Sequence, residues 1–283
     1  MSEFILSAFG DEIAPDLNIQ LEVLKSHNIK FIEMRGVNGR NIVDYSVDEA
    51  RIIKNQLDDS RISVSAIGSP IGKINVNDDF NKHLEVFDKL LDIAKVLDTQ
   101  YIRVFSFYMP KGDKPEAYRN DILPKMKKLA ERAAEKGIVL LHENEKEIYG
   151  DTAERCLEIV EYVNSPNLRL TFDPANFAQC NVEAFPHAYE LLKKHIEYVH
   201  IKDAIFKSGN VVPAGLGDCK IPEMLKDLKL SGYKGFLSIE PHLAAFKGLE
   251  DLENGSNILK IKESGTSSFS VAFDALDKIL KSL

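Results

Sequence analysis

The sequence predicts an α/β protein, a single (β/α)8 TIM barrel across residues 1–283 with its active site at the C-terminal ends of the strands. Three observations predict it. Eight short runs of β-branched and other apolar residues recur along the chain, bounded by Gly, Pro and Asn. Segments of helical period alternate with them, the pattern of parallel strands joined by right-handed crossovers. No strong linker, short-period repeat or low-complexity tract interrupts the 283 residues. A doubly wound sheet is the alternative; the first turn lacks a GxGxxG fingerprint, and the strand count is eight.

The expected strands are FILSAF (Phe4 to Phe9), IKFIEMRG (Ile29 to Gly36), ISVSAIG (Ile62 to Gly68) and YIRVFSF (Tyr101 to Phe107). They continue with GIVLLHEN (Gly137 to Asn144), LRLTF (Leu168 to Phe172), YVHIKD (Tyr198 to Asp203) and GFLSIEPH (Gly235 to His242). Between them, DLNIQLEVLKSHN places Leu17, Leu21 and Leu24 on one stripe, and HLEVFDKLLDIAKVL repeats apolar residues every three to four positions. ILPKMKKLAERAAEKG does the same and stops at Gly137, in the place of a C′ glycine. TAERCLEIVEYV, AYELLKKHI and IPEMLKDLKLSG follow the pattern, and FSVAFDALDKILKSL closes the chain after a long loop, LENGSNILKIKESGTSSFS.

Composition narrows the function. Net charge is −8 with a pI near 5.5, which argues against a nucleic-acid partner, since such binders carry a basic face. No apolar run approaches the roughly 18 residues of a membrane span, and the N-terminus turns acidic too early for a secretory signal. Cys156, Cys180 and Cys219 are scattered with no CxxC pair, as free thiols in a reducing compartment would be. The expected location is the cytoplasm.

The strand ends carry the chemistry. Strand five ends in Glu143, strand six runs into Asp173, strand seven carries His200, and strand eight ends in Glu240. Four consecutive strand ends would bring three carboxylates and an imidazole to one place near the barrel axis. Three such charges repel unless a cation neutralises them, and O/N donors suit one divalent Mn, Mg, Co or Zn ion. A lone carboxylate at a strand end is more often a helix N-cap, and a lone histidine more often a satisfied core residue; the joint occurrence points to a metal site.

LLHEN, TFDPANF, YVHIKD and LSIEPH, in that order and separation, resemble the superfamily of xylose isomerase-like barrels over nearly the whole chain. That group holds sugar isomerases and epimerases, inosose dehydratases and endonuclease IV-type nucleases. The epimerase-branch resemblance implies that Glu143, Asp173, His200 and Glu240 hold one metal. It also implies that Glu143 and Glu240 serve as the acid/base pair on opposite faces of a keto sugar, moving a proton through a metal-stabilised enediolate. An inosose-type dehydratase would use the same parts but expel a β-hydroxyl. The nuclease branch resembles a three-metal site rich in histidine; Asn176 stands where one of those histidines would be, the segment after strand seven carries none, and the chain has only seven. A non-catalytic sugar-binding barrel is the third class.

Asn176, Lys202, Arg103 and His242 are the candidate substrate contacts. Lys202 shares a strand side with His200, and Arg103 is expected to pair with Glu33 or Glu143 or else reach the substrate. Glu33 and Arg35 read as barrel-filling partners, and His142 as packed outward against a helix. PAGLGD (Pro213 to Asp218) is a weak phosphate signal that a tight turn explains equally well, and SPIGKINVNDDF is long enough to cover the mouth. The expected partner is a small sugar or sugar derivative, without nucleic acid or membrane. The relatives implied by the resemblance are commonly dimers or tetramers, so a homo-oligomer is compatible.

Overall fold

Eight parallel strands ring a common axis in the computed structural model, which describes residues 4–243 and 265–283. They are β1 (Ile5–Ala8), β2 (Phe31–Met34), β3 (Ser63–Gly68), β4 (Tyr101–Val104), β5 (Val139–Glu143), β6 (Leu168–Phe172), β7 (Ile196–Ile201) and β8 (Phe236–Ile239). The sheet runs from β1 through β8, β7 and the rest in turn to β2, and a parallel bridge between Phe9 and Glu33 joins its ends. The expected (β/α)8 TIM barrel is the fold. Six strands are shorter than the apolar runs that predict them, whereas β6 matches its run and β7 begins two residues earlier, at Ile196.

Around the ring lie α1 (Leu17–Ser26), α2 (Val47–Ser60), α3 (Phe80–Val96), α4 (Arg119–Glu135), α5 (Ala153–Val163), α6 (Pro174–Gln179), α7 (Tyr189–Leu192), α8 (Ile221–Leu230) and α9 (Gly265–Ser282). Local chemistry sets their ends. Asp16, Asp79 and Thr152 cap α1, α3 and α5, and Gly137 follows α4 at φ +65°, the left-handed step that glycine makes freely. Helix α2 was not among the segments read from periodicity. It begins with a full capping box of Ser46 and Glu49 and buries only Ala50, Ile53 and Leu57, a stripe too narrow to stand out among its charges. AYELLKKHI yields only the single turn of α7.

The final helix starts at Gly265, before the expected Phe269, while positions 252–264 of the anticipated loop lie outside the described residues. Its first turns hold poor helix formers, and tertiary packing decides: Phe269 and Phe273 stack edge-on against His27, with ring centroids 5.5 and 4.6 Å away. Among the described residues no helix is long and apolar enough to cross a membrane.

Two irregularities in the ladder lie next to the polar mouth. The β2–β3 register shifts between Ile32 and Glu33, and the β6–β7 register shifts between Leu170 and Thr171. Bulges of this kind re-aim side chains. One sits at Glu33; the other puts Thr171 opposite Tyr198, so that two residues on Asp173 comes level with His200.

A candidate metal centre at the mouth of the barrel

Glu143, Asp173, His200 and Glu240 converge as their positions on consecutive strands foretold. One ligand atom from each lies within 4.8 Å of the others, and all four are buried. Asp173 answers two demands at once. Its Oδ1 accepts from the Asn176 N–H at 2.9 Å, capping α6 with Pro174 in the first turn, while Oδ2 points into the cluster. Asn144 fixes the Asp173 backbone from both sides, accepting its N–H at 3.0 Å and donating to its carbonyl at 2.8 Å.

His200 is oriented from behind. Its Nε2 lies 3.2 Å from both oxygens of Glu33, so Nδ1 faces Glu143 Oε1 at 3.0 Å, Glu240 Oε2 at 3.6 Å and Asp173 Oδ2 at 3.8 Å. A carboxylate behind a histidine fixes which nitrogen is left to coordinate, an arrangement usual at metal-binding histidines. Glu33, read from the sequence as a filler of the barrel, thus has a positioning place. Only its alternation with Arg35 hinted at it, since its partner lies 167 residues away.

Six buried carboxylates, Asp11, Glu12, Glu33, Glu143, Asp173 and Glu240, face three buried permanent cations, Arg35, Arg103 and Lys202, together with His200 and His242. Arg35 reaches Asp11 at 2.7 Å, Glu12 at 2.8 Å and Glu240 at 3.2 Å. Arg103 binds Glu143 Oε2 at 2.8 Å, one of the two carboxylate pairings expected of it. Lys202 Nζ lies 3.0 Å from Glu240 Oε2 and 2.8 Å from Asp173 Oδ2, but the latter is close in distance without being aligned as a hydrogen bond.

These neighbours set the ionisation states. Burial opposes charge on Glu143, yet His200 and Arg103 hold its carboxyl well below the usual range; Lys202 and His242 do the same for Glu240. Burial opposes a charged His200 too, and Glu33 and Glu143 overcome it, keeping the imidazole protonated well above its ordinary range. For His242 burial and Lys202 push down, but Glu240 and Glu12 carry it up to about 10. Asp173 moves the other way: burial raises it, and Lys202 offsets this only in part.

The donor set therefore fits a divalent ion: three carboxylates and one imidazole within reach of one another, excess negative charge, and an Asp173 oxygen without an aligned donor. A metal would compete with the proton on His200, so its affinity rises with pH.

Glu143 and Glu240 of the cluster line a narrow cleft together with Arg35, Asn41, Gly68, Pro70, Lys73, Arg103, Phe105, Glu145, Lys202 and His242. Of the expected substrate contacts, Arg103, Lys202 and His242 line it. Asn176 does not: its amide donates to Glu143 Oε1 at 3.2 Å and to the Asn144 carbonyl at 3.0 Å. The PAGLGD loop is a turn around Asp203, whose carboxylate accepts the N–H groups of Gly215, Gly217 and Cys219 at 2.8, 3.0 and 3.1 Å. The segment after β3 forms a wall; Ile71 and Val76 are buried, and Gly72 turns at φ +87° with a Cβ-forbidding Phe105 carbonyl beside it.

His142 faces away from the cluster, as alternation predicts, and meets the loop before α5: a Cβ on Gly150 would sit 2.4 Å from its Cε1. Both ring nitrogens are buried without a partner, and burial lowers the pKa to about 4. Unfolding restores a value near 6.5, so between pH 6.5 and 4 the unfolded chain binds the extra proton and stability falls as pH falls. The expected loss by pH 4 is roughly 3 kcal/mol at one pKa unit per ~1.4 kcal/mol. Between pH 6.5 and 4 the unfolding free energy from urea titrations should fall about 3 kcal/mol further in wild type than in His142→Asn.

Comparison with known proteins agrees with this fold. The family model "Xylose isomerase-like TIM barrel" matches residues 21–260, and the chain belongs to that family. The 3-dehydroshikimate dehydratase of Bacillus anthracis is 23% identical over 192 residues, 65% of this chain and 67% of that one. A solved L-ribulose 3-epimerase superposes with a TM-score of 0.76 at 15% identity, covering 98% of this chain and 94% of its own. The IOLI protein, solved with a bound zinc atom, gives 0.73 at 19% identity, covering 100% and 99%.

Proposed function

We propose that this chain is a divalent-metal-dependent isomerase or epimerase of a keto sugar or sugar derivative, acting as one domain at the C-terminal mouth of its barrel. The observation that carries the reading is the placement of Glu143 and Glu240. They flank the ligand cluster from β5 and β8, both line the cleft, and both are kept ionised by the cations around them. A divalent ion held by Glu143, Asp173, His200 and Glu240 would supply Lewis-acid polarisation of the substrate carbonyl.

The chain's own groups then move the proton. One glutamate takes it from the carbon beside the carbonyl. The other returns a proton from the opposite face, giving the epimer, or to the neighbouring carbon, giving the isomer. Glu240 has a proton source at hand, since His242, kept protonated up to about pH 10, stands 3.0 Å from its Oε1. Arg103 and Asn176 hold Glu143 in a single orientation through separate oxygens. Burial of the whole set limits the loss of the abstracted proton to water.

The likeness to a 3-dehydroshikimate dehydratase supports a second reading on the same residues, in which a β-hydroxyl leaves after proton removal. Proton NMR in D2O of the Mg2+-loaded protein with ketopentoses, ketohexoses, inososes, ketose phosphates and keto-acids separates the outcomes. Deuterium next to the carbonyl in an epimer or isomer supports the first; loss of water supports the second. No exchange with any member of the panel, despite bound metal, contradicts both and leaves a sugar-binding barrel.

A further inference from the structure

The cations of the cleft fall into two groups. Arg35, Arg103, Lys202 and His242 each lie within 3.2 Å of a carboxylate of the ligand cluster and are committed to it. Lys73 is different. Among the described residues lining the cleft, it is the cation whose ion partner, Glu145, belongs to the rim and not to the cluster.

Its position is built. Lys73 stands in the turn after β3, where Phe105 and Phe107 donate their N–H groups to the carbonyls of Ile71 and Gly72 at 2.7 and 2.9 Å. The Gly72 N–H donates to His83 Nε2 at 2.9 Å from the other side. The ammonium rests 4.2 Å from the centre of the Phe105 ring and 3.1 Å from Glu145 Oε2, its side chain only 10% exposed. Glu145 keeps a second donor, the Lys146 N–H, 2.9 Å from its other oxygen. It can therefore release Lys73 without losing every partner.

We propose that Lys73 is the specificity-determining residue of this site and receives an anionic group of the substrate, a carboxylate or a phosphate ester, in exchange for Glu145. This inference rests on the sugar-converting reading and names its substrate class. An incoming anion replaces one carboxylate by another on a poorly solvated ammonium, so the lysine is never left unpaired, whereas a neutral substrate leaves the rim pair closed. Lys73 stands on a loop of the mouth and pairs with the rim, not with the ligand cluster, so the group it would receive is distinct from the substrate oxygens at the metal.

The test is calorimetric binding to the Mg2+-loaded protein of matched probes: a ketopentose, its 5-phosphate and the corresponding keto-acid. Wild type, Lys73→Met, Lys73→Arg and Glu145→Gln are compared, with metal stoichiometry and thermal midpoint confirming that each variant is folded. The expected result is a 10- to 100-fold preference of wild type for one anionic probe over the neutral sugar. Lys73→Met should collapse that ratio towards one, Lys73→Arg retain most of it, and Glu145→Gln increase it. The phosphate and keto-acid arms identify which anion is recognised. Equal affinity for all three probes, binding of none, or a preference unchanged in Lys73→Met overturns the proposal. Deuterium exchange on the same samples separates the two readings. Exchange without anionic preference defeats this inference alone, and a Lys73-dependent preference without exchange defeats the sugar-converting reading alone.

Discussion

A Glu240→Gln protein is expected to exchange its substrate proton at least about 10³-fold more slowly than wild type, a loss in the range of a removed general acid or base. The substitution keeps the shape of the side chain and removes its charge. Glu240 Oε2 would then meet Lys202 and the ligand cluster as a neutral amide, and Oε1 would no longer balance Arg35 and His242. Two effects follow, weaker metal binding and the loss of a proton carrier, and saturating Mg2+ separates them. Restored occupancy without restored exchange identifies the proton-transfer role; full recovery at high metal would reduce Glu240 to a ligand.

Glu33→Gln carries the second large effect, although Glu33 is not in the coordinating set. A carboxylate 3.2 Å behind His200 Nε2 stabilises the proton there and leaves Nδ1 for the metal. The amide removes that charge and can present an N–H to a nitrogen that must itself donate, so the preferred tautomer is lost. Divalent-ion affinity is expected to fall about 10- to 100-fold, as is typical when the outer partner of a ligand is removed. A titration with Mn2+ followed by its electron paramagnetic resonance signal measures this directly. Unchanged affinity would mean that His200 is oriented by packing alone, through Phe9 and Tyr198, whose rings lie edge-on to it at 5.1 and 5.8 Å.

The contrast between these residues explains what could be read in advance. Glu240, Asp173 and Glu143 each end an apolar strand, so their spacing alone brought them to one rim, and His200 lay in the same register. Glu33 lies on such a strand too, but its role depends on a bulge that lifts it against a histidine far along the chain, and no local pattern records that. Asn176 looked like a substrate contact because of its place in the TFDPANF motif. The short helix capped by Asp173 instead turns its amide onto Glu143. Among the helices, α3 and α4 carry broad apolar faces and are legible, whereas α2 is narrow and charged, and the first half of α9 packs Phe269 and Phe273 on the single His27 ring at the C-terminal end of α1.

The central claim is that four strand-end residues hold one divalent ion between two proton-carrying glutamates. Its most direct test is the stoichiometry of Mn2+ bound to the metal-stripped protein, measured for wild type and for Asp173→Ala at neutral pH. The expected result is one tightly held ion per chain in wild type and affinity at least about 100-fold weaker in the variant, which lacks one of the four clustered ligand groups. Wild type that binds no ion, or a variant that binds it equally well, would contradict the account.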